Sequence, residues 1–221
     1  MRRAIIVFTR VPVPGQTKTR LIPYFPPQEC ARLHTCFLKD IAGQCKKTQA
    51  DLYVCYTPDD KGDVLKTIFG DDELYFPQMG ESLGERMYMA IQRVLAKDYE
   101  SCVLIVPEIK QADLDYAFRL LDVHDIVLGP TQDGGYYLVG MKKPVREVFE
   151  KQTYSHASVL ENTAKAAFEA GYTVGFARTL HDIDEKEDIS KFRNRMRKNL
   201  SLQKSETGRY LLKKQNISII V

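Results

Sequence analysis

The chain has 221 residues, 44% of them hydrophobic and 28% charged, with a formal net charge of +3. That length suits one domain, and a chain of this size buries about 70% of its extended surface, so folding needs no disulfide or metal staple. The composition excludes a disordered or fibrous chain, and no apolar run approaches the roughly 20 residues of a membrane span.

At the N-terminus Arg2 and Arg3 precede a short apolar run that ends at Arg10 with no small-residue cleavage site. It reads as a first strand rather than a signal peptide. The five cysteines, Cys30, Cys36, Cys45, Cys55 and Cys102, are odd in number and lack a C-x-x-C spacing. Reduced thiols, a cytoplasmic location and no zinc site are expected. Charge is uneven: residues 189–221 carry nine Lys and Arg against Glu206, a net +8, which leaves −5 for the remainder. The basic end has only Phe192 and Tyr210 as aromatics, which argues against a nucleic-acid binder and for a solvated terminal helix.

Residues 4–9 open the chain as a strand. From 27 to 46, Leu33, Phe37 and Ile41 recur four apart and line one helical face. Residues 52–56 are the next strand, closed by Pro58-Asp59-Asp60, and 64–69 a short helix stopped by Gly70. A brief strand at 74–76 leads to a helix over 82–96, with Ser82 as N-cap and Glu85 at the third position. Residues 102–106 form an apolar run typical of a buried parallel strand. Residues 114–121 are helical and 126–128 extended. The alternation defines an α/β fold with a mainly parallel sheet. The pattern then changes: the strand at 136–140 follows the previous one too closely for a helical crossover, so it is antiparallel or at a sheet edge. A helix over 155–170 and a strand over 172–177 complete one domain, residues 1–190. A basic extension, 191–221, follows, whose β-prone end (Asn216-Ile217-Ser218-Ile219-Ile220-Val221) offers an edge strand or a pairing surface for a homodimer.

Three segments carry candidate chemistry. After the first strand, Pro14-Gly15-Gln16-Thr17-Lys18-Thr19-Arg20-Leu21 places a glycine and two cations where open α/β sheets bind ligands. Gly15 would release backbone N–H groups, and Lys18 and Arg20 would neutralise a diphosphate. The Walker spacing is not met, and a solvated basic loop has the same composition. In the second segment, Asp133-Gly134-Gly135-Tyr136, paired glycines allow close backbone approach to a ligand and Asp133 could accept from sugar hydroxyls. Asp-Gly is equally a turn pair. In the third, Asp182 and Asp184 lie on one side of an extended stretch, able to share a divalent cation. Capping of a helix that begins near Glu185 is the competing reading, with Asp184 as the cap. His34, His124 and His156 lack partners at metal-ligand spacing, and His181 is a weak candidate for a substrate contact.

Together these segments resemble a bacterial family of predicted nucleotide-diphospho-sugar transferases of GT-A type, domain of unknown function 2064. The resemblance rests on Pro14-Gly15-x-x-Lys18-Thr19-Arg20-Leu21; on Gln78-x-Gly80-x-x-Leu83-Gly84-Glu85-Arg86-Met87; on Gly129-Pro130-x-x-Asp133-Gly134-Gly135-Tyr136-Tyr137-Leu138-x-Gly140; and on Asp182-x-Asp184-x-x-x-Asp188. It implies a Rossmann-like GT-A domain that binds a nucleotide or nucleotide sugar and acts as a glycosyltransferase. It also implies that Gly15, Lys18 and Arg20 hold phosphates, that Gly134, Gly135 and Tyr136 line the acceptor or sugar side, and that Arg86 contacts ligand or closes a helix start. Asp133 and Asp184 would be catalytic, and Asp182 and Asp184 would hold Mg or Mn.

One departure counts against that cation. The family pattern places an Asp before the proline that follows the fourth strand, whereas here the chain reads Ile105-Val106-Pro107-Glu108. A second, milder departure is Tyr154-Ser155 in place of Trp-Ser. The alternatives are a nucleotidyltransferase acting on an NTP, which the absence of Gly-x-Gly-Thr-Arg after the first strand disfavours, and a non-catalytic nucleotide-binding protein.

Overall fold

The computed structural model describes residues 2–105, 109–150, 152–154, 156–181 and 183–214. Expectations about Val106, Pro107, Glu108, Ser155, Asp182 and the β-prone end 216–221 lie outside them.

The strands are β1 (Arg3–Arg10), β2 (Asp51–Thr57), β3 (Leu74–Pro77), β4 (Ser101–Ile105), β5 (Ile126–Pro130), β6 (Tyr136–Met141) and β7 (Val174–Phe176). They form one sheet in the order β3-β2-β1-β4-β6-β5-β7. Every pair is parallel except those of β6, which runs antiparallel to both β4 and β5. The strand expected to be antiparallel or at an edge is therefore antiparallel and internal.

Helices α1 (Pro27–Cys45), α2 (Asp63–Phe69) and α4 (Gln111–Val123) cover one face, while α3 (Leu83–Leu95) and α5 (Val159–Glu169) cover the other. β1 is buried on both sides: Ala4, Ile6 and Phe8 face one core, Ile5 and Val7 the other. That is why its sequence reads as an unbroken apolar run. Pro27 begins α1, where its missing N–H is harmless. Ser82 caps α3 by accepting from Glu85 N–H at 3.1 Å, as the sequence predicts, and Glu85 accepts in turn from Glu81 N–H. The helix expected from 155 begins at Val159, because residues 156–158 form a turn.

The chain continues as α6 (Lys186–Arg197), α7 (Leu200–Lys204) and α8 (Glu206–Lys213). The expected boundary at 190 falls inside α6 rather than in a linker. A third apolar cluster spans it, joining Leu21, Cys30, Leu33 and Phe37 to Ile183, Ile189, Phe192, Met196 and Leu211. The described part of the basic end, up to residue 214, is thus folded against α1 by its apolar stripe.

β1 connects toward β2 on one side, and β4 lies on its other side. The described β1–β4 register runs as far as Val7 opposite Ile105. The direction of winding reverses between these two strands, and the carboxyl ends at such a reversal are the usual ligand crevice of an open α/β sheet.

Candidate functional site

The loop after β1 is shaped by two left-handed residues. Gly15 has φ +79, and Lys18, at the start of a 3-10 turn over Thr19–Leu21, has φ 47 and ψ 46. A left-handed non-glycine residue is strained by roughly 1–2 kcal/mol. The strain is offset where the turn delivers its side chains. Leu21 is fully buried in the third cluster, which pins the turn and leaves Lys18 and Arg20 on either side.

Lys18 Nζ donates to the carbonyl of Ile183, lies 3.5 Å from Asp184 Oδ1, and stands 5.5 Å from the centre of the Phe37 ring. Its side chain is only 10% exposed. Arg20 donates to Asp184 Oδ2 at 2.7 Å and is half exposed. Two cations from the first loop therefore converge on one carboxylate of the third candidate segment. The exposed Arg20 pair is worth at most about 1 kcal/mol. The Lys18 end of its pair with Asp184 is the more protected, so removing that carboxylate costs more there.

Asp184 is free for this because the helix cap sits one residue later than the sequence predicts. Glu185 is the N-cap of α6, and the Asp188 carboxylate accepts from the N–H groups of Asp184 and Glu185 at 3.2 and 3.0 Å. Those bonds hold the Asp188 pKa below the ordinary carboxylate range, against the upward push of burial.

The second segment is a closed turn. Asp133 Oδ1 accepts from Thr131 Oγ1 at 2.5 Å and from Gly135 N–H at 3.2 Å, while Thr131 N–H donates to Gly135 C=O at 3.0 Å. Gly134 has φ +86, and a Cβ there would stand 1.9 Å from the Ala157 carbonyl oxygen. Leu160 N–H donates back to the Gly134 carbonyl. The close approach that requires this glycine is to the turn leading into α5, not to an open cleft. Tyr136 points into the α3 face of the core, its hydroxyl 4.0 Å from Met87 Sδ, and burial pushes its pKa well above 10.

Arg86 Nε donates to Gly80 C=O at 2.9 Å and so closes the loop that enters α3. Gln78, which the sequence flagged without a role, donates from Nε2 to Thr9 C=O at 3.1 Å and fastens the end of β3 to β1.

Thr131, at the head of the glycine turn, bridges to Leu180, three residues before Ile183. The turn and the cation loop thus lie at the same end of the sheet, linked through the 177–184 segment. Among the described residues, no hydrogen bond or ion pair joins Lys18 or Arg20 to residues 133–136. His181, between the two groups, has its pKa lowered by burial first and by Arg195 and Lys191 next.

Two residues of the site carry little local signal. His34, on α1, is 5% exposed; its Nε2 lies 3.0 Å from Arg10 C=O and 3.2 Å from Thr9 Oγ1, and holds the end of β1. Burial, then Lys18, lower its pKa to about 4. Ile183 contributes only a carbonyl.

Both oxygens of Asp184 face Lys18 and Arg20, and Asp182, the other carboxylate expected to hold a divalent cation, lies outside the described residues; among these, no three His, Cys, Asp or Glu side chains gather about one point.

The architecture is that of the nucleotide-diphospho-sugar transferase fold. A candidate nucleotide-diphospho-sugar transferase from Desulfovibrio desulfuricans G20 is 30% identical, superposes with a TM-score of 0.89, and the match covers 97% of this chain and 96% of that one. At 13% identity, two further structures share the fold alone: the inositol-1-phosphate CTP transferase from T. maritima (TM-score 0.51, covering 99% and 98% of the two chains) and 4-diphosphocytidyl-2C-methyl-D-erythritol synthase from Anaerococcus prevotii DSM 20548 (0.54, 89% and 97%). No curated protein sequence matches the chain.

Residues 41–156 match the model of a family described as uncharacterized proteins conserved in bacteria, DUF2064. The chain belongs to this family. The matched stretch contains the glycine turn and Arg86, and leaves Lys18, Arg20 and Asp184 outside it. No described helix is long and apolar enough to cross a membrane.

Proposed function

We propose that the protein is a glycosyltransferase that draws on a nucleotide-diphospho-sugar, with the loop after β1 receiving the diphosphate. The observation that carries this reading is the convergence of a nearly buried lysine and an arginine on a single carboxylate at the crevice end of the sheet. Asp184 stands where an anion is held, and a diphosphate, more highly charged than a carboxylate, competes with it for both cations. The 30% identical Desulfovibrio desulfuricans protein supports the donor class.

In the transfer, the bond between the anomeric carbon and the diphosphate oxygen breaks, and an acceptor hydroxyl oxygen bonds to that carbon. Lys18 and Arg20 neutralise the departing diphosphate. The acceptor proton passes to Asp133, whose Oδ2 accepts no hydrogen bond from the described residues while Oδ1 holds the turn. No step is assigned to a metal ion.

The test is to incubate the protein with UDP-, GDP-, CDP- and dTDP-sugars, with and without Mg or Mn, and to follow release of nucleoside diphosphate. One donor class should be consumed, and Asp133→Asn should slow turnover by about 100-fold or more. Pyrophosphate release from an NTP and a sugar phosphate, with no nucleotide sugar consumed, would instead establish a nucleotidyltransferase. Failure to bind or consume any nucleotide would end both readings.

A further inference from the structure

A cleft of about 1270 Å³ lies between the second half of α1, the start of α4, residues 178–181 and the helices α6 to α8. It exceeds the roughly 300–1,000 Å³ of an ordinary small-molecule pocket. Lys18, Arg20, Asp133 and Asp184 do not line it.

Its walls are fixed by the way the chain end folds back. Asp40 of α1 caps α8 by accepting from the N–H groups of Glu206 and Thr207 at 2.7 and 2.9 Å. Gly208 permits the α7–α8 corner, where a Cβ would meet the Leu202 carbonyl oxygen at 1.8 Å. On the opposite wall Gln111 ties α4 to α1, its backbone N–H donating to Gln44 Oε1 and its side-chain Nε2 to Lys47 C=O, both at 3.1 Å. The cations carried by these elements therefore project from a rigid frame.

Charge in the cleft is unbalanced. The described lining residues include eight Lys and Arg against three carboxylates. Those carboxylates are already engaged: Asp40 caps α8, buried Asp113 accepts from Lys110 N–H, and Glu206 pairs with Arg209. By contrast, Lys39, Lys47, Lys110, Arg178, Lys198 and Lys204 have no ion-pair partner among the described residues. Like charges gathered in a concave surface repel one another and focus a field that an anion relieves. His181, also in the lining, has its pKa lowered by burial first and then by Arg195 of the lining and by Lys191. Thr207 also lines the cleft, with a buried hydroxyl that finds no hydrogen-bond partner among the described residues.

We propose that this cleft is a second anion site, separate from the diphosphate loop, that takes a multiply phosphorylated small molecule. A single-stranded nucleic acid is disfavoured by the rings present. Phe37 and Phe192, the aromatic residues in the lining, are 3% and 4% exposed and packed in the third cluster, so neither offers a face for base stacking.

The test titrates sodium tripolyphosphate, and separately a 20-nucleotide single-stranded oligonucleotide, into three proteins by calorimetry. These are the wild type, Arg20→Ala, and the triple variant Lys47→Glu/Lys198→Glu/Lys204→Glu, with thermal melting as the check on folding. Tripolyphosphate should bind the wild type and Arg20→Ala with the cleft affinity intact. In the triple variant it should bind at least tenfold more weakly, while nucleotide-sugar turnover is unchanged. Lys198→Ala and Lys204→Ala singly, which each remove one positive charge without adding a negative one, should each weaken binding a few-fold and stand in if the triple variant does not fold. Unchanged affinity in the cleft variants would overturn the proposal, as would loss caused by Arg20→Ala alone. Oligonucleotide binding that depends on the cleft and resists displacement by tripolyphosphate would overturn it in favour of a different ligand class.

Discussion

The loop after β1 and the turn after β5 look alike in sequence, each a glycine in left-handed conformation beside charged side chains. They differ in what fills the space around the glycine. At Gly15 nothing lies within 4 Å of where a Cβ would stand; at Gly134 the Ala157 carbonyl oxygen is 1.9 Å away. One glycine shapes an open loop that carries cations, and the other lets the protein pack on itself. A left-handed glycine marks a close approach or a turn, and only the neighbours tell which.

The largest effect that tests this contrast is at Gly134. Alanine there meets both an unfavourable φ and backbone atoms, and should lower unfolding free energy by about 4 kcal/mol or prevent folding, measured by urea titration. Gly15→Ala bears only the conformational cost, about 1–2 kcal/mol. Equal losses at the two sites would erase the distinction.

The anchor of the cation loop should show in the pH dependence of stability. His34 is held neutral by burial, with its pKa lowered to about 4. Unfolded, it titrates near 6.5, so between those values the unfolded chain binds the extra proton. Stability from this residue is complete above about pH 6.5 and falls as pH drops toward 4, by roughly 3 kcal/mol in all. His34→Gln should flatten that part of the profile relative to the wild type.

Smaller effects separate the two carboxylates. Asp184→Asn removes the carboxylate that Lys18 and Arg20 share and should cost about 1–2 kcal/mol. Asp133→Ala removes two hydrogen bonds from an exposed turn and should cost about 1 kcal/mol. If Asp133 proved the more destabilising, the turn and not the cation loop would be the electrostatically stressed region.

Much of the fold was legible because it is written locally. The buried strands β1 and β4 read as apolar runs, α1 as a four-residue periodicity, and the start of α3 as a Ser82–Glu85 cap. The close succession of β5 and β6 announced an antiparallel strand. The packing of the chain end is less legible because its polar surface outweighs a narrow apolar stripe: Ile189, Phe192, Met196 and Leu211 are buried against α1, far along the chain.

The site was legible in part. Lys18 and Arg20 stood out by position after the first strand, and Asp184 as a carboxylate, but nothing local pairs residues 164 apart. The cap displaced by one residue, from Asp184 to Glu185, is what frees that carboxylate, and a one-residue shift is beyond what propensity resolves. The packing of Gly134 on Ala157 and of Tyr136 on Met87 is not legible locally, because those neighbours lie far along the chain.

The central claim is that Lys18 and Arg20 form an anion site that Asp184 fills until a diphosphate arrives. The direct measurement is a calorimetric titration of inorganic pyrophosphate without divalent metal, made in the cleft triple variant so that only the loop site is read. The account predicts that Lys18→Met and Arg20→Met each weaken binding at least tenfold and that Asp184→Asn tightens it. Binding abolished by Asp184→Asn and untouched by Lys18→Met would contradict it.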